Sequence, residues 1–156
     1  SLAEKKGKGI VVLVNKWDVV KKETNTARDY EKVLKQKLAP FNDVPILFIS
    51  ATEKLRIFQA MEVALKVYEN RMQKIPTSTL NEVMQKAMES YHAPVVRGHA
   101  VSIKFVTQLP TIVPSFAFFC NFPNDIKTPY RNYLENQMRE HFNFNGVPIR
   151  IFFRKK

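Results

Sequence analysis

Only one cysteine, Cys120, occurs in the 156 residues. An internal disulfide is therefore excluded, and the chain suits a reducing compartment such as the cytoplasm. Glycine is almost as scarce, at Gly7, Gly9, Gly98 and Gly146. No G-x-x-x-x-G-K-[ST] phosphate loop can be assembled from these four, and neither D-x-x-G nor G-x-x-G occurs. The longest apolar runs, such as Ile10 to Val14, are far shorter than the ~20 residues of a membrane helix, so no span is present. Ser1 to Lys6 has no apolar core behind it and is no signal peptide. The three histidines, His92, His99 and His141, lack metal-ligand spacing and a companion cysteine, so no metal site is expected. Acidic side chains are in the minority, 14 against 25 Lys and Arg, for a net charge of +11. That excess is spread along the chain, with 15 basic and 9 acidic groups in residues 1–74 and 10 and 5 in residues 75–156. Such a field favours polyanions: nucleic acid, nucleotide phosphates or an acidic membrane surface.

What is present is ordinary globular composition, 45% apolar and 25% charged, which rules out a disordered tail, a collagen and a coiled coil. The first residue is not Met and the chain runs almost at once into a buried-type strand, which reads as a piece of something longer. Ile10 to Val14 is wholly apolar and rich in β-branched residues, the pattern of a strand buried on both faces of a parallel sheet. Thr26-Ala-Arg-Asp29 reads as a capping box, followed by Tyr30, Val33, Leu34 and Leu38 at helical spacing, with Pro40 ending the helix. Ile46 to Ile49 is a second buried strand. Phe58, Met61, Leu65, Tyr68 and Met72 form the apolar stripe of another helix. Strand, helix, strand, helix with short links is half of a doubly wound α/β unit, its strands parallel by the right-handed crossover rule.

A break is expected near Lys74 to Ser78, where Pro76 disfavours helix and the Thr/Ser cluster offers a new N-cap. This divides the chain into residues 1–74 and 75–156. In the second part Leu80, Val83, Met84, Ala87, Met88 and Tyr91 make a helical stripe. Period two then takes over, with Val101, Ile103 and Phe105 on one side of a strand and Phe116, Phe118, Cys120 and Phe122 on one side of the next. Thr128-Pro129 opens a helix through Tyr130, Leu134 and Met138. Asn145-Gly146 turns the chain into a last strand with Ile149, Ile151 and Phe153 inward. The order αββαβ is that of a small α+β domain. Nine of the twelve Phe lie in this part; their alternation assigns them to the core, with stacking on bases as the other reading. Cys120, on the Phe-rich side, reads as core and not as a nucleophile.

The sharpest constellation is Asn15-Lys16-Trp17-Asp18, at the C-terminal end of the first strand, where open α/β sheets bind ligands. An Asp carboxylate can accept two hydrogens from a base edge that presents an N–H beside an NH₂, as guanine does and adenine does not. The Asn amide can bond the base and hold the neighbouring loop, and the Lys stem can lie over the flat ring. At the end of the second strand, the small residues of Ser50-Ala51-Thr52 let a backbone N–H approach a base oxygen. Together these resemble the fourth and fifth guanine-recognition motifs of the P-loop GTPases, N-K-x-D and S-A. The resemblance makes Asn15, Lys16, Asp18, Ser50, Ala51 and Thr52 the guanine-binding residues.

In the second part, Pro129 to Glu140, then Phe142 to Gly146 and Pro148-Ile149-Arg150-Ile151, resemble the C-terminal KH-like domain of the Der (EngA) family. Phe105-Val106-Thr107-Gln108, Pro110 and Phe116-Ala117-Phe118-Phe119 match its two-strand segment. Members of that family carry two tandem G domains and a C-terminal KH-like domain. The resemblance implies an α/β chain: the C-terminal half of the second P-loop GTPase domain, a parallel sheet with helices on its faces, followed by the KH-like domain. It implies that the intact protein binds GTP and GDP, uses Mg²⁺, hydrolyses GTP and acts in assembly of the large ribosomal subunit. The Mg²⁺ ligands and the phosphate loop are absent from this stretch, which is expected to be inactive alone and to hold no catalytic residue. Implied partners are guanine nucleotide, the large subunit and its rRNA, and the protein's own N-terminal G domains. KH modules usually grip a nucleic-acid backbone through G-x-x-G; without it, candidate RNA contacts are the basic residues Arg97, Lys104, Arg131, Arg139, Arg150, Arg154, Lys155 and Lys156. Two other readings stand beside this one: a basic RNA- or ribosome-binding module acting by itself, and an interaction domain whose KH-like face docks on a G domain.

Overall fold

A computed structural model describes residues 2–21, 23, 25–96 and 98–156. The chain forms two compact units: Ser1–Arg71 with Phe144–Pro148, and Met72–Asn143 with Ile149–Lys156.

The first unit opens with one helical turn, α1 (Leu2–Lys5). Gly7, at φ 63°, ends it in a left-handed turn, with Gly7 N–H donating to Glu4 O and Lys8 N–H to Ala3 O, both at 2.9 Å. Strand β1 (Val12–Val14), helix α2 (Thr26–Leu38), strand β2 (Ile46–Phe48) and helix α3 (Ile57–Met72) follow in the expected order. β1 and β2 are parallel, Val12 opposite Ile46 and Val14 opposite Phe48. Several details depart from the sequence reading. β1 is only three residues long and is not buried on both faces, since Leu13 is 47% exposed. The Thr26–Asp29 capping box does not form. Asn25 holds the N-cap, and the Thr26 hydroxyl is taken by the preceding turn, where it accepts from Glu23 N–H at 2.7 Å. On α3 the buried residues are Val67 and Asn70, whereas Phe58, Met61, Leu65 and Tyr68 are 59–81% exposed. The apolar stripe is present, but the elements of this unit meet the helix on its other side.

Residues 144–148 return to the first unit. Ile10 N–H donates to Gly146 O at 2.7 Å and Gly146 N–H to Asp43 O at 2.8 Å. Asn70 Nδ2 donates to Asn145 O and Asn145 Nδ2 to Asp43 Oδ1. Gly146 has φ +76°, and a Cβ there would lie 2.6 Å from Val67 Cγ2 and 2.8 Å from Ile10 O, so only glycine fits without strain.

The second unit is α4 (Thr77–Ser90), β3 (Ile103–Gln108), β4 (Ser115–Cys120), a 3₁₀ turn at Pro123–Asp125, α5 (Thr128–His141) and β5 (Arg150–Lys155). The sheet order is β3-β4-β5, with β3 antiparallel and β5 parallel to β4. Helix starts fall one residue off the expected caps, with Pro76 and Lys127 at the N-cap positions. Leu80, Met84, Leu134 and Met138 from the helices, and Phe116, Phe118 and Val106 from the sheet, are fully buried and form the core. Cys120 is also fully buried, as its place on the strand implied, and burial pushes its thiol pKa up, away from nucleophile chemistry. Ile103 lies opposite core-facing Cys120 as expected, but from Phe105 onward the expected phase of β3 is inverted. Val106 faces the core and Phe105 is 37% exposed, because the register shifts between Ile103 and Phe105. Asn81 covers the free edge of β3 by exchanging two 2.8 Å hydrogen bonds with the Val106 backbone.

Candidate functional site

The two sequence motifs of the first unit meet. The parallel ladder runs on past the assigned strands, Ile49 N–H donating to Val14 O at 2.8 Å and Trp17 N–H to Ile49 O at 3.0 Å. This brings Asn15 beside Ala51, and Asn15 Oδ1 accepts from Ala51 N–H at 3.1 Å and from Lys16 N–H at 2.8 Å. One amide oxygen thus ties together loops 36 positions apart in sequence. The amide NH₂ is the end of Asn15 that remains to donate to a ligand. Lys16 has φ 60°, an unusual conformation for a residue with a Cβ; the bond from its N–H to Asn15 helps hold it.

Trp17 anchors the loop, a role the sequence reading did not assign to it. The ring is 4% exposed, with centroids 4.3 Å from Phe48 and, edge-on, 5.6 Å from Tyr30. The signal available in sequence was a lone tryptophan between two exposed polar residues. With Trp17 turned inward, Lys16 and Asp18 on either side are exposed. In the second loop Ser50 is 1% exposed, its Oγ accepting from Glu53 N–H at 3.2 Å, while its backbone pairs with Leu55. That closes a tight loop, helped by Lys54 and Arg56 at φ 54° and 58°, with Ala51 and Thr52 exposed at its tip. Ser50 is thus buried within the loop, whereas Asn15, Lys16, Asp18, Ala51 and Thr52 are exposed. The site offers acceptors and donors for a planar polar ligand. Among the described residues, no group of three His, Cys, Asp or Glu side chains is placed to hold a metal ion.

The described basic candidates of the second unit are distributed over β3, α5 and β5. Arg150 and Arg154 are exposed on β5, with Lys155 and Lys156 at its end. Arg131 is exposed on α5, and Lys104 on β3 lines a groove with Asn121, Phe122 and Lys155. Arg139 is 12% exposed and bonded to Glu135 Oε1 through Nε and Nη2 at 3.3 and 3.2 Å, which leaves little of its guanidinium for an outside ligand. Arg97 lies outside the described residues. Among the described residues no helix is long and apolar enough to cross a membrane.

Residues 74–154 match the family model of the KH-domain-like region at the C-terminus of EngA bacterial GTPase enzymes. The chain is 53% identical over 155 residues to the GTPase Der of Christiangramia forsetii, covering 99% of this chain and 36% of that protein. It is 51% identical over 156 residues to the GTPase Der of Amoebophilus asiaticus, 100% and 36% covered, and 47% identical over 156 residues to that of Porphyromonas gingivalis, 99% and 36% covered. The chain thus spans about a third of the length of these relatives. A family model that covers half the chain, together with relatives alike over all of it and the αββαβ order of the second unit, leads to one conclusion: the chain belongs to the Der (EngA) family and carries its C-terminal KH-like domain.

Proposed function

We propose that residues 1–74 are the C-terminal part of a guanine-nucleotide-binding domain, residues 75–156 are the KH-like domain, and the intact protein binds and hydrolyses GTP. The observation that carries this reading is the bridge from Asn15 Oδ1 to Ala51 N–H, which joins two loops at the C-terminal ends of two parallel strands. In that arrangement Asp18 accepts from the N–H and NH₂ edge of guanine, Asn15 donates to the base, the Lys16 stem covers its face, and the Ala51 loop meets its oxygen. The residues fit a base; they supply nothing for phosphates or Mg²⁺. Phosphoryl transfer therefore belongs to parts of the intact protein outside this stretch. The exposed stripe on α3 and the exposed Leu13 support the same reading, as a sheet continuing past β1 would bury them.

From the family and the basic charge we further propose a cytoplasmic role in assembly of the large ribosomal subunit, the KH-like domain meeting rRNA through Lys and Arg. Exchange of Asp18 tests the base assignment. In the intact protein Asp18→Asn should weaken GDP and favour XDP, because an Asn amide can donate to the oxygen that xanthine carries in place of the NH₂. Mismatched buried polar groups cost about 1–3 kcal/mol, so the preference should shift by about tenfold or more. Paired titrations with GDP and XDP measure it, and an unchanged preference for GDP contradicts the assignment.

A further inference from the structure

One face of the sheet in the second unit carries Phe116, Phe118 and Cys120 in the core. On the other, Ala117 and Ser115 of the central strand are buried, at 0% and 3% exposure, Thr107 and Phe119 are half-buried, and exposed side chains come from the flanking strands β3 and β5. Register places Phe105, Phe119 and Arg154 side by side in one row of this second face, and Thr107, Ala117 and Phe152 in the next. Arg150, opposite Ser115, continues the same side of β5. Phe105 and Phe152 are 37% and 42% exposed, and both arginines are exposed. Phe105 and Phe119 lie ring on ring, centroids 4.5 Å apart and planes 13° from parallel. An open sheet face is ordinarily polar, so a phenylalanine platform there marks a binding surface.

Its chemistry indicates what binds. Along β5, alternate residues stand about 6.6 Å apart on one face, setting Arg150, Phe152 and Arg154 in a line of cation, ring and cation. No carboxylate occurs in these rows. Cations interleaved with flat rings suit a polyanion whose bases are free to stack, whereas a duplex keeps its base faces covered. The usual KH grip is missing its G-x-x-G, so the nucleic acid needs a different surface. We infer that this open face is a stacking platform for unpaired RNA, taking bases on Phe105 and Phe152 and phosphates on Arg150 and Arg154. The inference rests on the rRNA contact proposed above and adds its surface and its mode.

The test is fluorescence anisotropy of the intact protein with a labelled 12-nucleotide oligoadenylate and a 12-base-pair RNA duplex across a salt series. The single strand should bind more tightly than the duplex. Phe152→Leu keeps an apolar side chain but removes the ring face, and should weaken the single strand about tenfold, the loss of one stacked base. Phe152→Tyr should bind as the wild type does, and Arg154→Ala should lower the log–log salt slope by about 0.7. An unchanged thermal midpoint of Phe152→Leu shows that the variant is folded. Equal binding by wild type and Phe152→Leu, or equal binding of duplex and single strand, overturns the platform. Unchanged RNA binding with an altered domain arrangement in solution scattering also overturns it, and assigns the face to protein docking. A wild-type protein that binds neither RNA removes the rRNA contact itself. Binding unaffected by Phe152 removes only the surface assigned to it.

Discussion

Asn15 is where the proposed site is most exposed to refutation, because one side chain is given two tasks on two different atoms. Its Oδ1 accepts from Lys16 N–H and Ala51 N–H at 2.8 and 3.1 Å, while its NH₂ is left for the base. Asn15→Ala removes both tasks. Lys16 and Ala51 are exposed, so water can replace the lost acceptor, and each bond is worth the modest net value of about 0.5–1.5 kcal/mol. Together they come to about 1–3 kcal/mol, or roughly 5- to 150-fold in GDP affinity if the loops must be joined for binding. Loss of the bond to the base adds to this. Asn15→Asp separates the two tasks. Its carboxylate still accepts from both backbone donors, so the loops stay joined and the thermal midpoint stays near the wild type. The donor to the base is gone, so GDP affinity still falls by about tenfold. Titration of the intact protein with a fluorescent GDP analogue, alongside thermal unfolding, reads both quantities. If Asn15→Ala binds GDP within twofold of the wild type, the bridge between the loops has no part in a nucleotide site. If Asn15→Asp binds as the wild type does, the NH₂ end is not used by the base.

Further consequences follow from other parts of the chain. The 156-residue polypeptide alone should not hydrolyse GTP; turnover that persists through further purification would contradict the division of labour proposed for the intact protein. Gly146→Ala should destabilise the chain by about 2–5 kcal/mol, from a left-handed backbone worth about 1–2 kcal/mol and overpacking worth about 1–3 kcal/mol. Urea unfolding measures this, and a loss below about 1 kcal/mol would mean that Val67 and Ile10 yield easily. Tyr130 donates to Tyr91 O at 3.1 Å, and burial, then its neighbours Tyr133 and Tyr91, push its pKa up to about 12. Raised above its unfolded value near 10, it contributes stability that is full below about pH 10 and is lost as pH rises toward about 12. Thermal midpoints between pH 9 and 12 should fall less steeply in Tyr130→Phe than in the wild type; parallel curves would refute the assignment.

Local pattern was enough for the order of the longer elements from β1 to β5, though not for α1 or the turn at Pro123–Asp125. It was enough for the two parallel strands, and for Phe116, Phe118 and Cys120 of the expected inward set, whose fourth member Phe122 is 37% exposed. Period and propensity are properties of neighbouring residues, and a strand's two faces are determined once its phase is known. N-K-x-D and S-A were legible for the same reason, as short runs at the ends of apolar strands. Tertiary structure decided whatever depended on a distant partner. The shift between Ile103 and Phe105 turned Val106 into the core and Phe105 out, because pairing with β4 sets the phase that alternation leaves open. Phe58, Met61, Leu65 and Tyr68 share a helix face by spacing alone. Which face of α3 packs was settled by Val67 and Asn70 meeting residues 144–148, beyond the reach of helical periodicity. Trp17 became an anchor only because Phe48 and Tyr30 arrive beside it. The bond from Ala51 to Asn15 had the same origin: each motif was written in its own loop, but the parallel ladder between β1 and β2 brought the two loops within hydrogen-bonding distance.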